Sequence, residues 1–262
     1  MSKVIAISNQ KRGVGKTTTA VNLAARFAAL EKTTLLIDMD PQGNASQGLG
    51  FNETQEEDIH ELLDLAANPE QLSYEAIKNA ILDTKLEYLK VITAAPDLAA
   101  LEIELVQAMS RELRLKRIIE ILKPYFEFII IDAPPSLNLL TINTLAASSS
   151  VLIPVQCEYF ALQGLAELFN TIRLVQKNLN SGLKIEGALL TMYDNRLTLS
   201  KQVADEVRSC IPENVFQTII PRNVKLGEAP SHGKPVILYD LQSSGSKSYM
   251  KLAQEILNNA QY

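Results

Sequence analysis

Apolar residues in this chain fall into short, β-branched runs that alternate with longer stretches at helical spacing. Lys3-Val4-Ile5-Ala6-Ile7 opens with a run long enough for a buried strand, and Ala20, Leu23, Ala24 and Phe27 then mark one face of a helix over residues 19–30. The run at 33–38 predicts a second, parallel strand of a βαβ unit. Similar runs at 89–93, 126–132, 150–156 and 187–193 predict further strands. Helical faces recur at Leu98, Leu101, Ile103 and Leu105, with Asp97 as N-cap, and again at Leu113, Leu115, Ile118, Ile119 and Leu122. A long amphipathic helix is expected from Tyr159 to Lys177, with Leu162, Leu165, Leu168, Phe169, Ile172 and Val175 inward. At the end of the chain Tyr249, Leu252, Ala253, Ile256 and Leu257 form a core-facing stripe. Residues 50–90 are less regular. Ile59, Leu62, Leu63 and Leu65 suggest one short helix, and Tyr74, Ile77, Ala80 and Ile81 another. The acidic run 53–58 reads as a solvated loop, and Arg111, Arg114, Lys116 and Arg117 read as a charged outer face or, alternatively, as part of a patch facing nucleic acid. Strands alternating with helices predict an α/β fold with a doubly wound, mostly parallel sheet, spanning residues 1–262 as a single domain.

Between the first strand and the first helix lies Ser8-Asn9-Gln10-Lys11-Arg12-Gly13-Val14-Gly15-Lys16-Thr17-Thr18. Strand, Gly-rich turn and helix start is the context of a phosphate-binding P-loop. Loop N–H groups, including those flanking Val14, and the free N–H groups of the helix start converge on an anion, and the helix dipole adds to the attraction. Gly13 and Gly15 let the backbone approach where a Cβ would collide. Lys16 would reach the β/γ-phosphates of ATP, Thr17 would ligate Mg²⁺, and Thr18 would help cradle the phosphates. The match departs from G-x-x-x-x-G-K-[ST], because position 10 is Gln and a second lysine, Lys11, precedes the loop. That is the deviant Walker A form. Two acidic strand ends complete the pattern. Asp38-Met39-Asp40-Pro41 follows the second strand, and Asp132-Ala133-Pro134-Pro135 follows the strand at 126–132 in a Walker B arrangement. Asp132 would hold Mg²⁺ through a water, and the two prolines stiffen the turn after it.

Composition narrows the function classes. Of 262 residues, 47% are hydrophobic and 21% charged, which is ordinary for a globular chain. Cys157 and Cys210 lack C-x-x-C spacing, so they read as reduced thiols of a cytoplasmic protein and not as cluster ligands. The first apolar run is too short for a signal peptide, and none approaches a membrane span. A formal net charge of −5 gives no global attraction to nucleic acid, so any DNA contact needs a local basic patch.

The box Gln10–Thr18 resembles the KGGVGKTT motif of ParA-type ATPases, Asp38–Asn44 resembles their DxDPQGN segment, and Pro221–Pro235 resembles the PRNVxLxEAPSHGKP signature of the Soj-like branch. The resemblance runs from Lys3 to Leu257 and identifies the chain as a member of the ParA/MinD group of P-loop ATPases. It implies ATP hydrolysis with Mg²⁺, with Lys11 and Lys16 neutralising phosphate charge and Asp40 orienting the attacking water and helping to organise the metal. It implies base contacts from Pro221 and Asn223, and contacts to nonspecific double-stranded DNA from Arg196 and Lys225, with Arg222 and Lys201 nearby. It implies an ATP-dependent homodimer, a ParB-type centromere-binding partner that stimulates hydrolysis, nucleoid association, and segregation of a chromosome or plasmid. Arg12 is a departure, since the family pattern has Gly there; its bulk and charge would face a symmetry mate and hinder or alter the dimer. No helix-turn-helix precedes the loop, which suggests the non-repressor type. Two alternatives are a MinD-like division ATPase, which would end in a basic amphipathic helix, and a metabolic ATP-dependent enzyme on the same fold. The final helix is polar but not basic on its outer face, which disfavours a membrane anchor.

Overall fold

In the computed structural model, β1 (Lys3–Ile7), β2 (Thr34–Asp38), β3 (Leu82–Asp83), β4 (Leu89–Ile92), β5 (Phe128–Asp132), β6 (Ser150–Gln156) and β7 (Lys184–Thr191) share one sheet. Their order is β3-β4-β2-β5-β1-β6-β7. All pairings are parallel except β3 with β4, where the two-residue strand closes the edge in the antiparallel sense. The structure describes residues 2–105, 110–158, 161–211 and 215–259. Tyr159, at the expected start of the long amphipathic helix, lies outside them, as does the side chain of Leu162.

Both faces of the sheet are covered, which is why its strands are apolar throughout rather than alternating. Ile5, Ile7, Leu36 and Ile130 point to one face, where α1 (Lys16–Ala29) and α12 (Ser244–Asn259) pack with Leu23, Phe27, Tyr249 and Leu252. Phe27 stacks on Phe128 with ring centroids 4.0 Å apart. Val4, Leu35, Ile37 and Ile131 point to the other face, under α3 (Ile59–Leu65), α5 (Leu98–Glu104) and α6 (Arg114–Leu122). Beside them α8 (Ala161–Asn178) and α9 (Thr198–Cys210) cover Val151, Ile153 and Leu190. The expected doubly wound sheet is therefore present.

Several local expectations change. The strand expected at 126–132 begins only at Phe128, because Glu127 turns outward and its carboxylate accepts from Lys32 Nζ at 3.0 Å and Thr33 N at 3.1 Å. The helix expected at 74–81 is one turn, α4 (Tyr74–Ile77), followed by a 3₁₀ turn. Helices α2 (Asn44–Gly48), α10 (Val224–Glu228) and α11 (Val236–Tyr239) are too short and α7 (Leu139–Ala147) too weakly periodic to be expected, whereas α9 carries a buried stripe of Ser200, Val203, Ala204 and Val207 that the sequence analysis does not assign. The basic residues on α6 do not all form a solvated face. Arg114 is buried and donates from Nη1 to Leu63 O at 2.9 Å, and Arg117 Nη1 donates to Ala66 O at 2.7 Å. These guanidiniums satisfy carbonyls left open at the end of α3, where the helix dipole also favours a cation.

The acidic run 53–58 is solvated only in part. Asp58 is buried as the N-cap of α3, accepting from His60 N at 2.7 Å, while Glu61 reaches back to Asp58 N at 2.9 Å in a capping box. Burial raises the Asp58 carboxyl from 3.8 to about 7, and the Glu61 and Asp97 carboxylates beside it act in the same direction. A carboxyl whose pKa rises on folding binds its proton more tightly in the folded chain. Its charged form therefore weighs against folding above about pH 7, and that cost fades as pH falls toward the unfolded value. Asp58→Asn keeps a capping oxygen without the charge. In urea unfolding at low and high pH, the variant's stability gain over the parent should be near zero at pH 4 and largest above pH 7; a gain independent of pH would be the wrong result.

Candidate nucleotide-binding site

Parallel register decides what meets at the carboxyl edge of the sheet. Ile7 pairs with Asp132, and Asp132 with Asp38, so the end of β1 and both acids stand side by side on adjacent strands. The loop leaving β1 is held from below. Asn9 donates from Nδ2 to Pro154 O on β6 at 2.8 Å, and its Oδ1 accepts from Lys11 N at 3.0 Å. Thr191, at the end of β7, donates to Val14 O at 2.8 Å. Gly13 (φ 73°) and Gly15 (φ 86°) turn the chain through left-handed conformations that a side chain would strain, and Gly15 caps α1.

Lys16 is buried, and its Nζ donates to Lys11 O at 3.0 Å, folding the side chain back over the loop. Burial lowers its pKa; Asp132 and Asp40 oppose that, and Arg12 adds to it. Asp38 is satisfied within the protein. It accepts from Ser46 N at 2.9 Å, Ser46 Oγ at 2.8 Å and Asp40 N at 3.1 Å, and burial lifts its carboxyl to about 6. Asp40 accepts from Gln42 N at 3.0 Å and lines the cleft. Asp132 is fully buried, yet neither carboxylate oxygen has a hydrogen-bond partner. Burial drives its pKa well up, the neighbouring Asp38 carboxylate adds to the rise, and the nearby Thr17 hydroxyl and Lys16 ammonium oppose it.

Lys16 and Asp40 line a cleft of about 550 Å³ together with Arg12, Gly13, Thr17, Thr18, Pro134 and Pro135, while Asp38 and Asp132 are buried and do not line it. A second cavity of about 340 Å³ adjoins it at Gly15, Thr18 and Met192, between the end of β7 and the segment from Ile220 to Gly227, with Tyr249 also in its wall. Pro221 and Asn223, the expected base contacts, line this second cavity. The Asn223 amide is already engaged, since its Oδ1 caps α10 through Lys225 N at 2.9 Å and its Nδ2 donates to Ser244 Oγ at 2.7 Å.

The expected site residues divide into two groups. Gly13, Val14, Gly15, Lys16, Thr17, Thr18, Asp40 and Asp132 converge on the cleft and its floor. Lys11 lies one step away, beside Pro135, Ser136 and Gly164 in an adjoining groove. Arg196 and Lys225 are on the outside of the molecule, after β7 and on α10, with Arg222 at the rim of the second cavity.

A family model described as an AAA domain matches residues 2–185. The chain is 54% identical over 260 residues to the sporulation initiation inhibitor protein Soj of Bacillus subtilis, covering 99% of this chain and 100% of Soj. It is 51% identical to the chromosome partitioning protein ParA of Myxococcus xanthus, over 98% of this chain and 88% of that protein. The chain belongs to the ParA/Soj family of chromosome-partitioning ATPases. Among solved structures, cobyrinic acid a,c-diamide synthase from Mycobacterium smegmatis, crystallised with an ATP analogue and magnesium, superposes with a TM-score of 0.83. It shares 33% identity, over 100% of this chain and 96% of the synthase.

Sequence reading passed over several residues that build this ParA/Soj-type cleft. Asn9 and Thr191 were legible only as polar residues at the ends of apolar strands, and their loop contacts join elements 145 and 177 positions apart. Met192 holds a left-handed backbone (φ 49°) and lines both cavities, and nothing in a lone Met signals that. Asp132→Asn removes an unpartnered buried charge. The variant without nucleotide or metal should gain stability, on the order of 1–3 kcal/mol, and should lose most of the stabilisation that Mg²⁺-nucleotide confers. Thermal unfolding in both conditions checks this, and an apo-stability loss would contradict it.

Proposed function

We propose that the chain is an ATP-driven partitioning switch, acting as one domain over residues 1–262, that hydrolyses ATP and cycles on and off nonspecific DNA. The single observation that carries the site assignment is the fully buried, unpartnered Asp132 carboxylate beside Lys16 and Thr17. A buried carboxylate that makes no hydrogen bond, with only the Thr17 hydroxyl and Lys16 ammonium nearby, fits a hydrated cation better than it fits a closed core. Thr17 would hold Mg²⁺ directly and Asp132 and Asp40 through water, and the bound metal would neutralise charge on the β/γ-phosphates. The amides of Gly13, Val14 and Gly15, with Thr18, cradle the phosphates. Lys16 leaves its Lys11 carbonyl contact to reach them, and Lys11 supplies a second ammonium. Asp40 orients water for attack on the γ-phosphorus. The bond to the bridging oxygen breaks, releasing ADP and phosphate. Pro221 and the wall around Asn223 enclose the base.

The finer cycle follows from the family reading. The ATP form dimerises, and Arg196, Arg222 and Lys225 meet DNA phosphates on the nucleoid. A ParB-type partner then stimulates hydrolysis and releases the protein. A membrane-anchored, MinD-like role fits less well. Tyr249, Leu252, Ala253 and Ile256 of α12 are buried on the sheet side, so that helix has no apolar face left for lipid. Among the described residues no helix is long and apolar enough to cross a membrane. A metabolic role like that of the synthase has the weaker relation, 33% identity against 54% to Soj.

DNA binding measured against salt, with ADP and with a non-hydrolysable ATP analogue, while the same samples are sized, tests this reading. Dimer and DNA binding should appear together, with the analogue only. Arg196→Ala should weaken binding and lower the log–log salt slope by about 1. A monomer that binds the analogue and ignores DNA would defeat the DNA cycle while leaving the ATP site standing.

Arg12 supplies a separate expectation. It is exposed at the cleft mouth and its charge disfavours the protonated state of Lys16. Arg12→Gly restores the family residue and should increase the dimeric fraction at a given analogue concentration. Unaltered sizing profiles would mean that Arg12 turns outward and does not oppose the dimer.

A further inference from the structure

The cations assigned to DNA are not bare. Arg196 has a side chain 84% exposed, yet its Nε donates to Asp194 Oδ1 at 2.9 Å and its Nη2 to Asp194 Oδ2 at 2.6 Å. The Arg196 backbone N also donates to Asp194 Oδ1, at 3.0 Å. The forked pairing holds the Asp194 carboxyl down at about 2. Lys225 Nζ donates to Glu228 Oε2 at 2.9 Å, and the Tyr239 hydroxyl donates to the same oxygen at 2.9 Å. Arg222 Nη2 lies 3.9 Å from Glu158 Oε1. Each of the three cations thus faces one carboxylate, and the three pairs carry no net charge. The chain's overall charge of −5 offers no compensation.

Cations already paired with carboxylates are a poor match to a polyanion. Affinity for DNA comes largely from releasing the counterions condensed on its phosphates. A protein cation that must first leave a carboxylate gains less, because the freed carboxylate recruits a solution cation. We propose that Asp194 and Glu228 compete with DNA phosphate for Arg196 and Lys225, and so set the strength of that contact. The inference rests on the assignment of Arg196 and Lys225 as DNA contacts, and it adds two carboxylates that set the threshold of that contact.

The test uses the full chain, a mixed-sequence DNA duplex, a salt titration, and both ADP and the ATP analogue. Asp194→Asn and Glu228→Gln are made singly and together, beside Arg196→Ala and Lys225→Ala. Each exposed pair is weak in water, so each single carboxylate variant should tighten binding a few-fold and the double variant about tenfold at low salt. The log–log salt slope of the double variant should steepen by about 1–2, and DNA binding should become measurable with ADP. Unchanged or weaker binding in both single variants and the double overturns the proposal, weaker binding meaning that the carboxylates position the cations. If Arg196→Ala and Lys225→Ala bind like the parent, the DNA-contact assignment itself fails, which is a different result from the failure of the carboxylate competition.

Discussion

Three adjacent parallel strands end in step, and that register places two buried carboxylates against each other beneath a phosphate-binding loop. Asp38 and Asp132 are direct partners across β2 and β5. In a low-dielectric interior such a pair is costly unless donors or cations answer it. The fold answers only one of them. Ser46 and the Asp40 amide satisfy Asp38, while both oxygens of Asp132 are left without donors. The uncompensated charge sits where Thr17 and Lys16 emerge from α1, so the protein is least satisfied at the point where a cation bound to phosphate would complete it.

The surrounding structure keeps that point rigid below and open above. Asn9 ties the loop to β6, Thr191 ties it to β7, and α1 is fastened to α12 by the hydroxyl pair Thr19 and Tyr249 at 3.1 Å and by Arg26 Nη2 on Ser246 O at 2.8 Å. Tyr249 also walls the second cavity, and Met192 lines both spaces. The two cavities therefore share walls, and a nucleotide lying across them would touch the ends of β1, β5 and β7 at once. A site assembled from so many strand ends is preorganised by the sheet rather than by its own loops.

What was legible in the sequence follows from how local each signal is. The phosphate loop, the acids after β2 and β5 and the buried strands are contiguous patterns, and they could be read directly from residues 3–40 and 126–135. Long-range events left no such mark. Asp58 reads as one more acid in a solvated run, and only packing against the end of β4, through Ile59 N to Thr93 O at 3.0 Å, buries it. Arg114 and Arg117 look like surface charge on α6 until α3 presents its open carbonyls. The short helices after β7 have too few turns for periodicity to register. Asn223 was expected at the base because of its place in the Pro-Arg-Asn segment, and its capping duty depends on the neighbouring backbone.

Two kinds of carboxylate thus organise this protein in opposite senses. Inside, neither oxygen of Asp132 makes a hydrogen bond, and burial disfavours its charged form against the pull of the nearby Thr17 hydroxyl and Lys16 ammonium. Outside, Asp194 and Glu228 are anions with partners already in place, and solvent keeps each of those pairs weak enough to exchange. A net charge of −5 gives the chain no general attraction to DNA, so the proposed contact with phosphate has to be conditional. In the proposed cycle that condition would be met when several exchangeable pairs are brought to one polyanion together.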